Sequence, residues 1–165
     1  MSSGEEQTYE DGKRIAVRWL THIAMLKTTE KIAIVGSLRR KQLKVNDIDL
    51  QVIGSYHDIE NLFWERGVGM KSGDTKRQIY QLKSGVMVNV FYTTRDSWGS
   101  SLMHNTGSKT YNIRKRLRSQ AEGYKLNQYG VWTDDGMKVD GGVWDTEKKI
   151  YDFFGWTYVE PEDRE

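Results

Sequence analysis

Between residues 11 and 27, "DGKRIAVRWLTHIAMLK", the apolar positions Ile15, Trp19, Ile23 and Leu26 recur at helical spacing with charged residues opposite. That pattern predicts an amphipathic helix. "KIAIVGS" (31–37) is a short apolar run stopped by glycine and serine, which predicts a strand ending in a turn. "DIDLQVI" (47–53) alternates strictly, so a strand there places Asp47, Asp49 and Gln51 on one face and Ile48, Leu50 and Val52 on the other. Residues 58–66 predict a short helix. "RQIYQLK" and "GVMVNVFYTT" predict a hairpin turned through Ser84-Gly85.

The second part of the chain has a different texture. "SWGSSLMHNTGSKTYNIRKRLRSQAEG" is polar at first and then helical from about Lys109 to Glu122, with Gly123 as its C-terminal stop. "KLNQYGVWTDDGMKVDGGVW" sets turn signals at Asp135-Gly136 and Gly141-Gly142 between short apolar runs, predicting a small sheet. "DTEKKIYDFFG" predicts a helix capped by Asp145 or Thr146 and ended by Gly155. The fold class expected is α/β (α+β): an α/β first domain over 1–103 and a smaller mixed domain over 104–165.

Composition narrows the function classes. The 165 residues are 37% hydrophobic and 12% aromatic, as a folded chain of one domain or two small lobes requires. No apolar run approaches the about 20 residues that span a bilayer. The start, "MSSGEEQTYEDGK", is too acidic for a signal peptide, so an intracellular protein is expected. Cysteine is absent, and His22, His57 and His104 are scattered, which argues against disulfides and thiolate or histidine metal sites. Any metal would therefore sit on carboxylate oxygen, pointing to magnesium, manganese or calcium. The net charge of +2 conceals strong local imbalance. Arg39, Arg40, Lys41 and Lys44 make residues 38–44 locally +4, and residues 105–125 are locally +5. Two concentrated basic segments mark a polyanion ligand, the plainer alternative being a solvated charged face.

"GSLRRKQLKVNDIDLQVI" (36–53) carries the chemistry. Side chains two apart on a strand point the same way, roughly 7 Å apart at Cα. Two such carboxylates can share a metal and hold a second beside it, as two-metal phosphoryl transfer requires. The Gly36-Ser37 turn can offer backbone N–H groups to phosphate, and Arg39 and Arg40 add forked cationic donors. A lone D-x-D is more often an exposed strand edge or a turn. Its place on an alternating strand, after such a turn and two arginines, reads as a nucleotidyltransferase site.

Those residues resemble the palm motif of the family X DNA polymerases. "TGSKTYNIRKRLR" is similar to that family's thumb helix, "KLNQYGVW" to its L-N-E-Y-G segment, and "TEKKIYDFFGWTYVEPEDRE" to its C-terminal end. The resemblance runs in consistent order from about Gly12 and is strongest to the minimal, viral palm-plus-thumb members. It implies a nucleotidyltransferase palm of mixed β-sheet flanked by helices, over 1–103, and a small α/β thumb, over 104–165. It also implies addition of dNTPs to a primer 3′-OH in short-gap repair. Gly36, Ser37 and Arg40 would hold the triphosphate with Asn46 close by, and Asp47 and Asp49 would bind two Mg2+ ions, for which Mn2+ can substitute. His104, Asn105 and Gly107 would lie near the incoming nucleotide, Asn112 at the base edge and Arg116 near the nascent pair. Lys109, Arg114, Lys115 and Gln128 are further candidates for DNA contact, Arg114 and Lys115 as loose phosphate contacts or part of a solvated face. The implied partners are gapped or nicked primer-template DNA, a dNTP and a DNA ligase, with no membrane and a monomeric chain.

Several departures from the family's pattern carry consequences. Beginning at the palm, the chain is expected to lack the lyase domain and helix-hairpin-helix fingers of larger members. Asn105 stands where an aromatic residue is common beside the sugar, and Lys109 and Gln128 stand where acids are common. The largest departure is Asn89, on the strand "GVMVNVF", where the family has its third catalytic aspartate. An amide is a poor proton acceptor, so catalysis should fall by at least the ~10²–10⁴-fold typical of a general base. Either Asn89 was introduced to trap a substrate complex, or the chain is a natural member with damaged catalysis. The intact remainder of the site favours the first. The competing functions are a template-independent nucleotidyltransferase and a non-catalytic module that binds gapped DNA.

Overall fold

The computed structural model describes residues 5–165. The chain divides into two compact units after Thr93.

The first unit begins with a two-residue strand β1 (Gln7–Thr8) and helix α1 (Tyr9–Ala24). Thr8 caps α1 by accepting the Asp11 N–H at 3.2 Å. Strand β2 (Lys31–Ile34) leads to a one-turn helix α2 (Gly36–Arg39), then β3 (Lys44–Val45), which pairs with β1. Next come β4 (Asp47–Ile53), α3 (Tyr56–Glu65), β5 (Met70–Gly73), β6 (Arg77–Gln81) and β7 (Met87–Tyr92). The five longer strands form one mixed sheet in the order β2-β4-β7-β6-β5, in which only β4 and β7 run parallel.

Strand alternation gives this sheet two unlike faces. Ile48, Leu50 and Val52 of β4, Val88 and Val90 of β7 and Tyr80 of β6 are buried against α1 and α3. At the centre, Trp19 of α1, Phe63 of α3 and Tyr80 form a continuous pile of rings, 4.0 Å and then 3.7 Å between centroids. Burying each such side chain contributes about 1.5–3 kcal/mol, which pins the helices to this side. The opposite face carries Asp47, Asp49, Gln51, Asn89 and Arg77, and is the polar side of the unit.

The second unit contains α4 (Trp98–Thr106), α5 (Lys109–Ala121), the hairpin β8 (Tyr124–Asn127) and β9 (Gly130–Thr133), and α6 (Glu147–Phe154). Short 3-10 turns lie before α6 at Asp140–Gly142 and after it at Pro161–Asp163. Its core gathers Met103, Tyr111, Leu126, Val131, Trp144, Ile150, Tyr151 and Trp156. Thr146, one of the two expected caps, caps α6, and Gly155 closes it in the left-handed region as the sequence predicts.

Two elements differ from expectation. Helix α4 was not legible because its buried positions include Gly99, Ser100 and Ser101 rather than an apolar stripe. A Cβ on Gly99 would lie 2.1 Å from the Thr146 backbone, so α4 packs closely on the approach to α6. Helix α4 belongs to the second unit, which begins at Thr94. Strand β5, "MKSG", is exposed throughout and shows no alternation. The expected Gly36-Ser37 turn is helical, forming α2.

Candidate active site

Parallel pairing of β4 with β7 sets Asp47 opposite Met87 and Asp49 opposite Asn89. The sequence places Asp47 and Asp49 on one face, and the register adds Asn89 directly beside them. Above Asp49 lies Gly36, whose φ of 65° falls in the left-handed region. A Cβ there would stand 2.1 Å from Asp49 Oδ2, so only glycine lets the turn close on this carboxylate. The Val35 N–H donates to the Asp49 carbonyl at 2.9 Å, tying the start of α2 to the strand bearing the acids. Ser37 and Arg40 follow on the same turn, half-buried, while Asn46 is exposed one residue before β4.

The electrostatics of the three polar side chains are unequal. Asp49 is pushed up to about 6, first by desolvation and then by the neighbouring Asp47 carboxylate. The hydrogen bond from Asn89, with Arg77 and Arg40 nearby, opposes that shift. Asn89 is buried and its Nδ2 donates to Asp49 Oδ1 at 2.8 Å. Asp47 Oδ1 is buried and has no hydrogen-bond partner. Among the described residues, no group of three or more histidine, aspartate or glutamate side chains could hold a metal ion. The third position is an amide, which removes the carboxylate such a group would need.

Arg77 has no counterpart in the sequence reading. It lies on β6 next to β7, and its Nη2 donates to Asn89 Oδ1 at 3.2 Å. Its only forewarning is the antiparallel register of a hairpin that also contains Asn89.

In the second unit, α4 and α5 bring a different group together. The Asn112 Nδ2 donates to the His104 carbonyl at 2.7 Å, and Arg116 Nη2 meets His104 Nδ1 at 2.9 Å. A guanidinium has only donors, so Nδ1 accepts and Nε2 carries the His104 proton. Burial, reinforced by the Arg116 charge, lowers His104 to about 4, which leaves the ring neutral at physiological pH. His104, Asn112, Lys115, Arg116 and Asn127 line one small cleft. Gly107 ends α4 at φ 69°, and Ser108 caps α5 by accepting the Tyr111 N–H at 3.1 Å. Lys109 and Arg114 are exposed on α5. Lys115 folds inward, its Nζ 4.6 Å from the centre of the Trp156 ring. The Gln128 carbonyl, between β8 and β9, accepts the Ser100 and Ser101 hydroxyls at 2.9 Å each.

Residues 101–165 match the family model described as DNA polymerase beta thumb. The chain as a whole is similar to proteins named as polymerases X. It is 28% identical to Repair DNA polymerase X of African swine fever virus (isolate Warthog/Namibia/Wart80/1980), over 82% of either chain. It is 30% identical to the DNA polymerase/3'-5' exonuclease PolX of Bacillus subtilis, over 92% of this chain but only 27% of that one. DNA polymerase IV of Saccharomyces cerevisiae is 22% identical over 93% of this chain and 22% of its own. Among the described residues, no helix is long and apolar enough to cross a membrane.

Proposed function

We propose that the chain is a template-directed DNA repair polymerase that adds dNTPs to a primer 3′-OH at short gaps, with activity held down by Asn89. The observation that carries this reading is the approach of the Gly36 turn to Asp49 on the strand bearing Asp47. A triphosphate cradle and two carboxylates thereby share one face of one sheet. The donor set fits a divalent cation: Asp47 Oδ1 is a buried carboxylate oxygen lacking any partner, and such an atom is costly unless a ligand satisfies it. Asp47 and Asp49 would hold Mg2+ or Mn2+, which supplies charge neutralisation at the transferring phosphoryl group and lowers the pKa of the attacking hydroxyl.

The protein's own groups divide the remaining work. Backbone N–H groups of the Gly36-Ser37 turn and the Arg40 guanidinium bind and orient the triphosphate. Asn46 lies at the approach to the acids. In the thumb, neutral His104 presents Nε2–H beside the sugar, with Asn105 and Gly107 close by. Asn112 reaches the base edge and Arg116, braced on His104, faces the nascent pair. Lys109, Arg114 and Gln128 contact the DNA backbone, while the Lys115 ammonium adds positive potential from its seat on Trp156. Asn89 cannot accept the proton of the 3′-hydroxyl as an aspartate would.

The test is primer extension on a one-nucleotide gapped duplex with each dNTP singly and Mg2+. Incorporation of only the templated nucleotide, rising ~10²–10⁴-fold with Asn89→Asp, supports the reading. Untemplated addition would favour a nucleotidyltransferase that needs no template. A second reading, a non-catalytic module that binds gapped DNA, is favoured by the donor role of Asn89 towards Asp49. It predicts salt-sensitive binding with no incorporation even after Asn89→Asp.

A further inference from the structure

Asn89 does more than fail to be an acid. It is the middle of a short relay: Arg77 Nη2 donates to its Oδ1 at 3.2 Å, and its Nδ2 donates to Asp49 Oδ1 at 2.8 Å. The chemistry of the flanking groups sets the direction. A guanidinium offers only donors and an ionised carboxylate only acceptors, so the amide fits one way round. Rotating it would face donor against donor and acceptor against acceptor, at a residue only 4% exposed. The guanidinium is itself seated, its carbon 5.2 Å from the centre of the Phe91 ring, and Phe91 is the residue paired with Arg77 across the sheet. The amide oxygen, the one atom of Asn89 able to ligate a metal, therefore faces Arg77 and not the aspartates.

We propose that Arg77 is the positioning residue of this third place. It locks Asn89 as a donor to Asp49 and sets a fixed positive charge where a third carboxylate would draw a second divalent ion. The site accordingly takes one divalent cation, held by Asp47 and Asp49. The Arg40 charge, which also acts on Asp49, further disfavours a second cation. The cation count is a property of the chain alone, and only its place in catalysis rests on the polymerase reading.

Mn2+ binding to the full chain, followed by the paramagnetic resonance of the free ion without nucleotide or DNA, tests this directly. One Mn2+ per chain is expected for the unsubstituted protein and for Arg77→Lys, which keeps the charge. Arg77→Met should bind Mn2+ at least ten-fold more tightly, because the charge is gone and the amide can turn its oxygen to the ion. Asn89→Asp combined with Arg77→Met should take a second Mn2+. Thermal melts establish that each variant is folded, and Arg77→Gln gives the same comparison if the methionine variant melts early. Two ions on the unsubstituted chain, no ion at all, or an affinity unmoved by removing the arginine charge overturns the inference. Two ions together with templated incorporation would leave the polymerase reading standing. One ion with no incorporation after Asn89→Asp would do the reverse.

Discussion

Glu147→Gln removes one charge from an ion pair that has no access to water. The Arg164 side chain is 0% exposed and that of Glu147 5%, with Arg164 Nη1 bonded to the Glu147 carboxylate. The guanidinium also donates from Nε to the Val159 carbonyl at 3.0 Å. It lies 5.8, 5.9 and 5.4 Å from the ring centres of Tyr111, Tyr151 and Tyr158. These contacts remain after the substitution, but a buried cation is left without its counter-charge, since Nη2 already lacks a partner. Breaking such a pair from one side costs about 3–5 kcal/mol, whereas replacing both partners by apolar residues is often neutral. With a urea dependence of roughly 2 kcal/mol per molar, the unfolding midpoint should fall by about 2 M. Tryptophan fluorescence reads the transition in the second unit, where Trp144 and Trp156 are buried. The double variant Glu147→Met with Arg164→Met should recover most of the loss. A fall of less than about 0.5 M, or a double variant as weak as the single one, would refute the argument. The consequence extends to the site, because the Arg164 carbonyl accepts the Ser108 N–H at 3.3 Å at the start of α5.

Further predictions concern the polar groups. Asp49 is raised to about 6 from an ordinary 3.8, so the folded chain binds its proton more tightly and the stability it contributes falls as pH rises through that window. In EDTA, Asp49→Asn should therefore stabilise the protein at pH 7 and lose that gain near pH 4. Equal effects at both pH values would contradict this. His104, lowered to about 4, contributes stability that is complete above about 6.5 and lost as pH falls through 4. Its imidazole NMR signals should not titrate between pH 5 and 8; with Arg116→Met the midpoint should rise but stay below 6.5, since burial is the larger cause. Gly36→Ala should remain folded yet lose Mn2+ affinity by at least ten-fold, because its Cβ would displace the Asp49 carboxylate. Unchanged binding would show that the turn is not part of the cation site.

The alternation in "DIDLQVI" suffices to give β4 its residue bounds and both its faces, because one face is buried under two helices and the other is polar. Helix α1 is legible from its apolar period, and α5 and α6 from the glycine placed at the end of each. What depends on pairing is not legible. Arg77 and Asn89 are twelve positions apart, and only the β6–β7 register brings the guanidinium to the amide. Lys115 reads as one more cation on a basic helix, but Trp156, forty-one positions later, supplies a ring for it to rest on. Helix α4 hides because close backbone packing at Gly99 replaces the large apolar residues that advertise a buried face. The motif names the aspartates, and the tertiary structure decides what surrounds them.

Two proposals meet at this face of the sheet: that it performs templated nucleotidyl transfer, and that residue 89 limits the rate. Metal-dependent incorporation on a one-nucleotide gap, measured in single turnover for the chain and for Asn89→Asp, addresses both parts together. The expected result is insertion of the templated dNTP only, abolished by EDTA and ~10²–10⁴-fold faster with aspartate at the third position. Equal rates for the two proteins, or no incorporation by either, would contradict it.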